Sequence, residues 1–177
     1  MIDQMSGRRA HMGLSVTISA ADARDAEHIL KLQYLCYQSE AELYGDWSIE
    51  PLTQSLDDLR AELDEGYGLV ARLGDEVVAS VRARIDEDGT VRIAKLIVHP
   101  RMRRHGLGGR LLDGIERRFA AGTDATEPAA PAAKRFQLFT GHRSEGNLRL
   151  YRRKGYAQVA TRELGPRLTL VTLEKAA

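Results

Sequence analysis

Residues 95–118 read KLIVHPRMRRHGLGGRLLDGIERR. An apolar strand end, Leu96-Ile97-Val98, runs into a stop at Pro100. Arg101, Arg103 and Arg104 follow, then the glycines Gly106, Gly108 and Gly109. Leu107, Leu111, Leu112 and Ile115 recur at helical spacing, so the segment continues as an amphipathic helix to about Ala121. Glycine lets the backbone turn tightly and bring its N–H groups close to a ligand. A helix N-terminus adds unpaired donors and a partial positive charge. Flanking guanidinium groups add charge-assisted hydrogen bonds. Together these make a cradle for a diphosphate, although the same glycines would also serve close helix–sheet packing. Two common phosphate loops do not fit. No Gly-Lys-Ser/Thr follows, and Gly106-Leu107-Gly108-Gly109 lacks both the dinucleotide spacing and a preceding βαβ unit.

Upstream of this turn, Tyr67–Leu73, Val77–Ile85 and Thr90–Val98 read as successive strands, broken by the hairpin signals Gly74-Asp75 and Asp88-Gly89. Before them lie a short strand, Val16–Ser19, and a helix capped by Asp22 that runs to about residue 43. Gly45 and Pro51 interrupt, and a second helix covers roughly 53–65, closed by Gly66. Downstream, Phe136–Thr140 is a strand and Asn147–Lys154 a short helix, and Tyr156–Thr161 and Leu168–Leu173 are closing strands. Residues 1–13 lack periodicity and read as a tail, and the Ala/Pro/Thr-rich residues 122–134 read as a flexible loop. That leaves one domain over 14–177.

Composition narrows the function. With 43% hydrophobic and 29% charged residues the chain is globular. Aromatics at 6% and a net charge of +1 argue against a nucleic-acid surface. One cysteine, Cys36, excludes an internal disulfide and a multi-cysteine zinc site, and the histidines show no metal-ligand spacing, so no metal is expected. No apolar run approaches the ~20 residues of a membrane span, and Arg8-Arg9 lead into no apolar stretch, so no membrane contact and a cytoplasmic location are expected. Charge is segregated. Residues 21–65 carry a net −9 and residues 91–120 a net +6, as solvated helix faces would, or as would a protein holding an anion with one half and a cation with the other.

Arg103-Arg104-His105-Gly106-Leu107-Gly108 resembles the Arg/Gln-x-x-Gly-x-Gly/Ala motif of GNAT-type N-acetyltransferases. Val98-His99-Pro100 before it and Leu111-Leu112 after it sit where that family places them. Asn147 through Tyr156 (NLRLYRRKGY) is similar to the family's Asn…Tyr-x-x-x-Gly-Tyr/Phe segment. The likeness spans roughly residues 14–174. It implies an α/β (α+β) fold: a mixed, mostly antiparallel sheet of about seven strands with splayed central strands, flanked by about four helices. It also implies acetyl-CoA as cosubstrate and an amine acceptor, either a small molecule or a peptide, and is compatible with a homodimer. The alternative is a catalytically quiet acyl-CoA-binding module.

Carried over residue by residue, the resemblance puts the pantetheine arm on the backbone of Leu96, Ile97 and Val98 and against Asn147. It puts the diphosphate on Arg103, Arg104, His105, Gly106, Leu107, Gly108 and Gly109. Tyr151 matches the tyrosine that protonates the departing thiolate, although helix periodicity alone would also suit a core tyrosine. Many relatives carry a glutamate base on the strand before the turn, but here that position is Ala94, next to Lys95. Proton removal is left to ordered water or to Glu40, Glu50, His142 or Glu145. On the acceptor side, Tyr37, Trp47, Glu40 and Glu50 combine aromatic faces with carboxylates, which suits a cationic amine.

Overall fold

The computed structural model describes residues 15–120 and 132–177. The expected tail and residues 122–131 of the expected loop lie outside them. Seven strands form one sheet in the order β1-β2-β3-β4-β5-β7-β6. They are β1 (Val16–Ala20), β2 (Tyr67–Leu73), β3 (Glu76–Ile85), β4 (Thr90–Val98), β5 (Arg135–Gly141), β6 (Ala157–Glu163) and β7 (Thr169–Ala176). The helices are α1 (Ala26–Tyr44), α2 (Glu50–Thr53), α3 (Leu56–Glu65), α4 (Leu107–Phe119) and α5 (Glu145–Arg153).

Both expected hairpins form. Leu73 pairs with Glu76 across Gly74-Asp75, and Ile85 pairs with Val91 across the turn that contains Asp88-Gly89. Gly74 and Gly89 take left-handed backbone, with φ of 61° and 83°, which is why these turns carry glycine. Asp22 does cap, but it caps a one-turn 3-10 segment, Ala23–Asp25, whose capping box with Asp25 leads into α1. The helix expected over roughly 53–65 forms as α3, closed by Gly66, and a separate one-turn helix, α2, precedes it. Pro51 sits in the first turn of α2, where its missing N–H costs nothing, and extended Gln54 separates α2 from α3. Ser55 then caps α3 by accepting from the Asp58 N–H at 3.1 Å.

Successive β2 residues face opposite sides of the sheet, and each side is covered. Val70 joins Val77 and Ile97 under Ile29, Leu32, Leu59 and Leu63 of α1 and α3. Leu69 and Ala71 join Val81, Ala83 and Ile93 with Leu111, Leu112 and Ile115 of α4 and Leu148 and Tyr151 of α5.

Within the first layer, Arg82 on β3 is buried, its side chain 4% exposed. Glu62 of α3 accepts from its Nε at 2.5 Å, Gln33 from its Nη2 at 2.8 Å, and Lys95 reaches the same Glu62 at 2.9 Å. Burial opposes ionisation of Glu62, but Arg82 and Lys95 outweigh it and hold the carboxyl below its usual range. Glu62→Ala leaves a buried guanidinium uncompensated and is expected to destabilise the fold by about 2 kcal/mol in denaturant titration; half-exposed Glu62 places it below a fully buried pair. A lowered carboxyl value stabilises the fold above its unfolded value of about 4.3. That contribution is lost as pH falls through the folded value, so the wild-type advantage over Glu62→Ala should vanish in acid.

The decisive feature is the junction of β4 and β5. These strands run parallel and pair only from Thr90↔Arg135 to Arg92↔Gln137. Beyond that point β4 stays on β3 through Val98 and β5 stays on β7 through Gly141. The sheet therefore opens like a wedge, leaving one backbone edge of β4 from Ile93 onward without a strand partner.

Candidate active site

Two cavities meet in this wedge. One, of about 770 Å³, lies between Ile93–Leu96 and Leu138–Gly141 and is roofed by the C-terminal end of α1 and by residues 164–168. The other, of about 880 Å³, follows β4 from Leu96 to Val98 and ends on the glycine turn. Tyr37, Glu40, Leu96 and Asn147 border both.

The glycine turn opens onto the second cavity. Arg103, Arg104, Gly106, Leu107, Gly108 and Gly109 form its wall, and His105 does not. Gly106 has φ 72° and starts α4 without any side-chain cap. The first backbone amide to return to the turn is that of Arg110, which donates to the Gly106 carbonyl. The N–H groups of Leu107, Gly108 and Gly109 are the orphan donors of this first turn. The glycines also serve packing. A Cβ on Gly108 would lie 3.0 Å from Leu150 of α5, so a bare position there favours the close approach of the two helices, whereas one on Gly109 would meet only the flexible end of the Lys154 side chain, at 2.8 Å. Of the two purposes expected of the segment, the packing one is visible at Gly108, and the turn leaves its first amides facing the second cavity. Three cationic side chains were not anticipated: Arg143, Arg149 and Arg153 join Arg103 and Arg104 along this cavity. Arg149 and Arg153 stand one helical turn apart on α5, a spacing visible in the sequence.

Tyr151 of α5 is 5% exposed and faces the first cavity. Its hydroxyl has no hydrogen-bond partner among the described residues. Burial, and then the charge of Glu40, push its ionisation well above the usual phenol value, so it stays protonated. Asn147, one turn earlier, donates to Thr140 at 3.3 Å and borders both cavities.

Glu40 accepts from the Ser144 hydroxyl at 3.1 Å through either carboxylate oxygen. Burial raises its carboxyl above the ordinary range, while Ser144 and Arg103 pull it partly back. Tyr37 is pushed far up by burial. Glu50 faces the first cavity but answers Lys95 at 3.0 Å. Lys95 sits in a bulge of β4, with φ 53°, which aims its ammonium at Glu50, Gln54 and Glu62. Ala94 presents only a methyl group to the wall. Cys36 donates to the Val98 carbonyl at 3.4 Å, and burial pushes its thiol up to about 11, so it is no nucleophile at neutral pH.

Two acceptor-side candidates stand apart. Trp47 is 59% exposed and borders neither cavity, so it is neither a core residue nor part of the wall. His142 lies outside both as well. Its Nδ1 accepts from the Thr169 N–H at 3.0 Å, which ties the ring to the start of β7. Among the described residues no group of metal-ligating side chains is assembled, and no helix is long and apolar enough to cross a membrane.

The model of the Acetyltransferase (GNAT) family matches residues 27–156. No curated protein matches the sequence. Among solved structures, the chain is similar to YncA from Salmonella typhimurium with its cofactor acetyl-CoA, at 20% identity and a TM-score of 0.65, over 92% of this chain and 94% of that one. It is similar to the PaiA N-acetyltransferase from Thermoplasma acidophilum in complex with coenzyme A, at 14% identity and a TM-score of 0.70, over 92% and 99%. It is also similar to the ribosomal-protein-S18-alanine N-acetyltransferase from Escherichia coli, at 14% identity and a TM-score of 0.67, over 91% and 93%. At these identities the structural neighbours speak for the fold, and the family model spans most of the chain between β1 and β6. The chain belongs to the GNAT acetyltransferase family.

Proposed function

We propose that this protein transfers the acetyl group of acetyl-CoA to a primary amine by direct attack, with Tyr151 as general acid on the leaving thiolate. The observation that carries the reading is the wedge between β4 and β5, where a cavity ending on uncapped helix amides and arginines meets a second one faced by a buried phenol. Acetyl-CoA threads the wedge. Its diphosphate meets the amides of Leu107 to Gly109 and the guanidinium groups of Arg103 and Arg104. Its pantetheine arm pairs with the open backbone edge of β4 as a further strand would, near Asn147. The thioester then reaches the border shared by the two cavities.

The amine lone pair attacks the carbonyl carbon, a tetrahedral oxyanion forms, and the C–S bond breaks as the carbonyl is restored. A backbone N–H near Val98 would stabilise the oxyanion. Tyr151, protonated throughout the neutral range, meets the sulfur as a donor while negative charge develops there. The acceptor enters the first cavity, whose walls are mainly apolar, including Ile93, Leu138, Phe139 and Leu170. The favoured acceptor is therefore an amine on an apolar body. The S18-alanine neighbour brings a peptide amine into the same class of candidates.

Thiol release from acetyl-CoA tests this. Expected is CoA release that depends on added amine and is faster with 2-phenylethylamine or a short alanyl peptide than with spermidine. Acetyl-CoA binding without turnover of any amine would instead identify a quiet binding module.

A further inference from the structure

We infer that Glu40 is the proton acceptor of this reaction, taking over from the family's strand glutamate, with Ser144 and Tyr44 as its positioning residues. The inference rests on the acetyl-transfer reading above.

An arriving ammonium, with a value of about 10, has no lone pair at neutral pH and must lose a proton first. Ala94 cannot take it. The carboxylates around the two cavities are Glu40, Asp46, Glu50 and Glu145. Asp46 is turned onto its own loop, accepting from the N–H and hydroxyl of Ser48 at 2.8 and 2.6 Å, which holds it below the usual range. Glu50 is engaged by Lys95. Glu145 borders only the cofactor cavity, is exposed, and shares that wall with Arg149 and Arg153. Glu40 borders both cavities, where thioester and amine must meet, and no cation is within ion-pairing distance of it among the described residues.

The hydrogen bonds around Glu40 have one consistent direction. The Arg143 N–H donates to the Tyr44 hydroxyl at 3.0 Å. Ser144 has a single hydroxyl proton and gives it to the carboxylate, which as an anion can only accept, so it is Tyr44 that donates to Ser144 Oγ at 2.8 Å. Tyr44 and Ser144 are both buried, so the chain is fixed. Gly141 makes room for it, since a Cβ there would lie 2.0 Å from the Tyr44 hydroxyl oxygen. The carboxylate is thus held by one donor, and its remaining lone pairs are available to an ammonium. Burial also makes it a stronger base than an exposed carboxylate.

The protons balance. Glu40 takes one proton from the ammonium, and the neutral amine forms the C–N bond. As the C–S bond breaks, Tyr151 protonates the sulfur, and the surplus proton on the amide nitrogen restores the phenol. Glu40 releases its proton to solvent, and the products are amide, CoA thiol and one proton.

The charged and titratable groups that act on Glu40 are Arg103 from the turn after β4, Tyr37 on α1, Tyr151 on α5 and, through Ser144, Tyr44; Arg143 and Glu145 share the wall of the second cavity with it, and Asp46, Glu50 and Lys95 that of the first. Thiol-release kinetics with 2-phenylethylamine, spermidine and an alanyl tripeptide as probes, followed across pH, test the assignment. Glu40→Gln should lower kcat about a hundredfold at neutral pH while KM for acetyl-CoA stays within about twofold. The deficit should shrink as pH rises toward the amine's own value, about 10 for the alkylamines and about 8 for the peptide. Ser144→Ala should move the acidic limb of the profile to higher pH, because the carboxylate loses its stabilising donor; a merely structural role would lower thermal stability without moving the limb. Glu40→Gln within about threefold of wild type, or reduced equally at every pH, overturns the assignment, since general-base catalysis is worth more than that. Wild-type protein that binds acetyl-CoA but turns over none of the probes overturns the transfer reading and this inference together, whereas active wild type with an indifferent Glu40→Gln sinks this inference alone.

Discussion

Tyr151→Phe is expected to lower kcat by roughly a hundredfold or more while leaving acetyl-CoA affinity and melting temperature near wild type. The asymmetry follows from the surroundings. The ring is packed in the core with Leu148 and Tyr156, 6.2 Å from the latter's ring centre, and phenylalanine keeps that packing. The hydroxyl contributes nothing to folding through hydrogen bonds, because it has none within the described protein. On the proposed mechanism the variant loses the donor to a thiolate that exists only as the C–S bond breaks, so the loss should fall on kcat and spare KM. Thiols that leave more readily should recover part of the rate, which a series of acyl thioesters would measure. A variant with unchanged kcat would remove Tyr151 from the chemistry.

Gly106→Asp is expected to raise KM for acetyl-CoA by about a hundredfold, with Gly106→Ala as the comparison. Nothing lies within 4 Å of a Cβ at this position, so neither side chain meets a steric barrier. Both pay the strain of φ 72°, on the order of 1 kcal/mol and less for aspartate, which tolerates this region better. Both should therefore fold. Only aspartate places a negative charge at the uncapped end of α4, where the diphosphate is proposed to lie. It satisfies the orphan amides itself and repels the ligand. Equilibrium binding of CoA reads this without requiring any acceptor, and the loss should exceed that of Gly106→Ala by more than tenfold. Equal affinities in the two variants would move the diphosphate away from this turn.

The stretch from Leu96 to Arg118 was readable because it is local. A strand that stops at proline, glycines that permit left-handed backbone and an apolar helical stripe each act over a few residues. The same holds for Gly74-Asp75 and Asp88-Gly89, whose turns follow from glycine at positive φ. Other features are joined over long separations. Glu40 and Ser144 are 104 residues apart, and Tyr44 and Ser144 are 100 apart. Nothing near either residue announces the partner, because the contact exists only once β5 has paired with β7 and set α5 against the end of α1. Trp47 and His142 looked equally suitable as residue types, yet one points to solvent and the other is tied to β7.

From the sequence alone came the order of the strands and of the longer helices, the family likeness, the glycine turn at the start of α4 and the tyrosine on the last helix, since backbone preference and short spacings are properties of neighbouring residues. The tertiary structure alone decided that β4 and β5 part after three paired residues, that two cavities meet at Glu40, and that Lys95 turns away to Glu50 and Glu62. The physical reason is that sheet pairing and the burial of charge are settled between segments far apart in the chain, where each group takes the partner that the whole fold brings within reach.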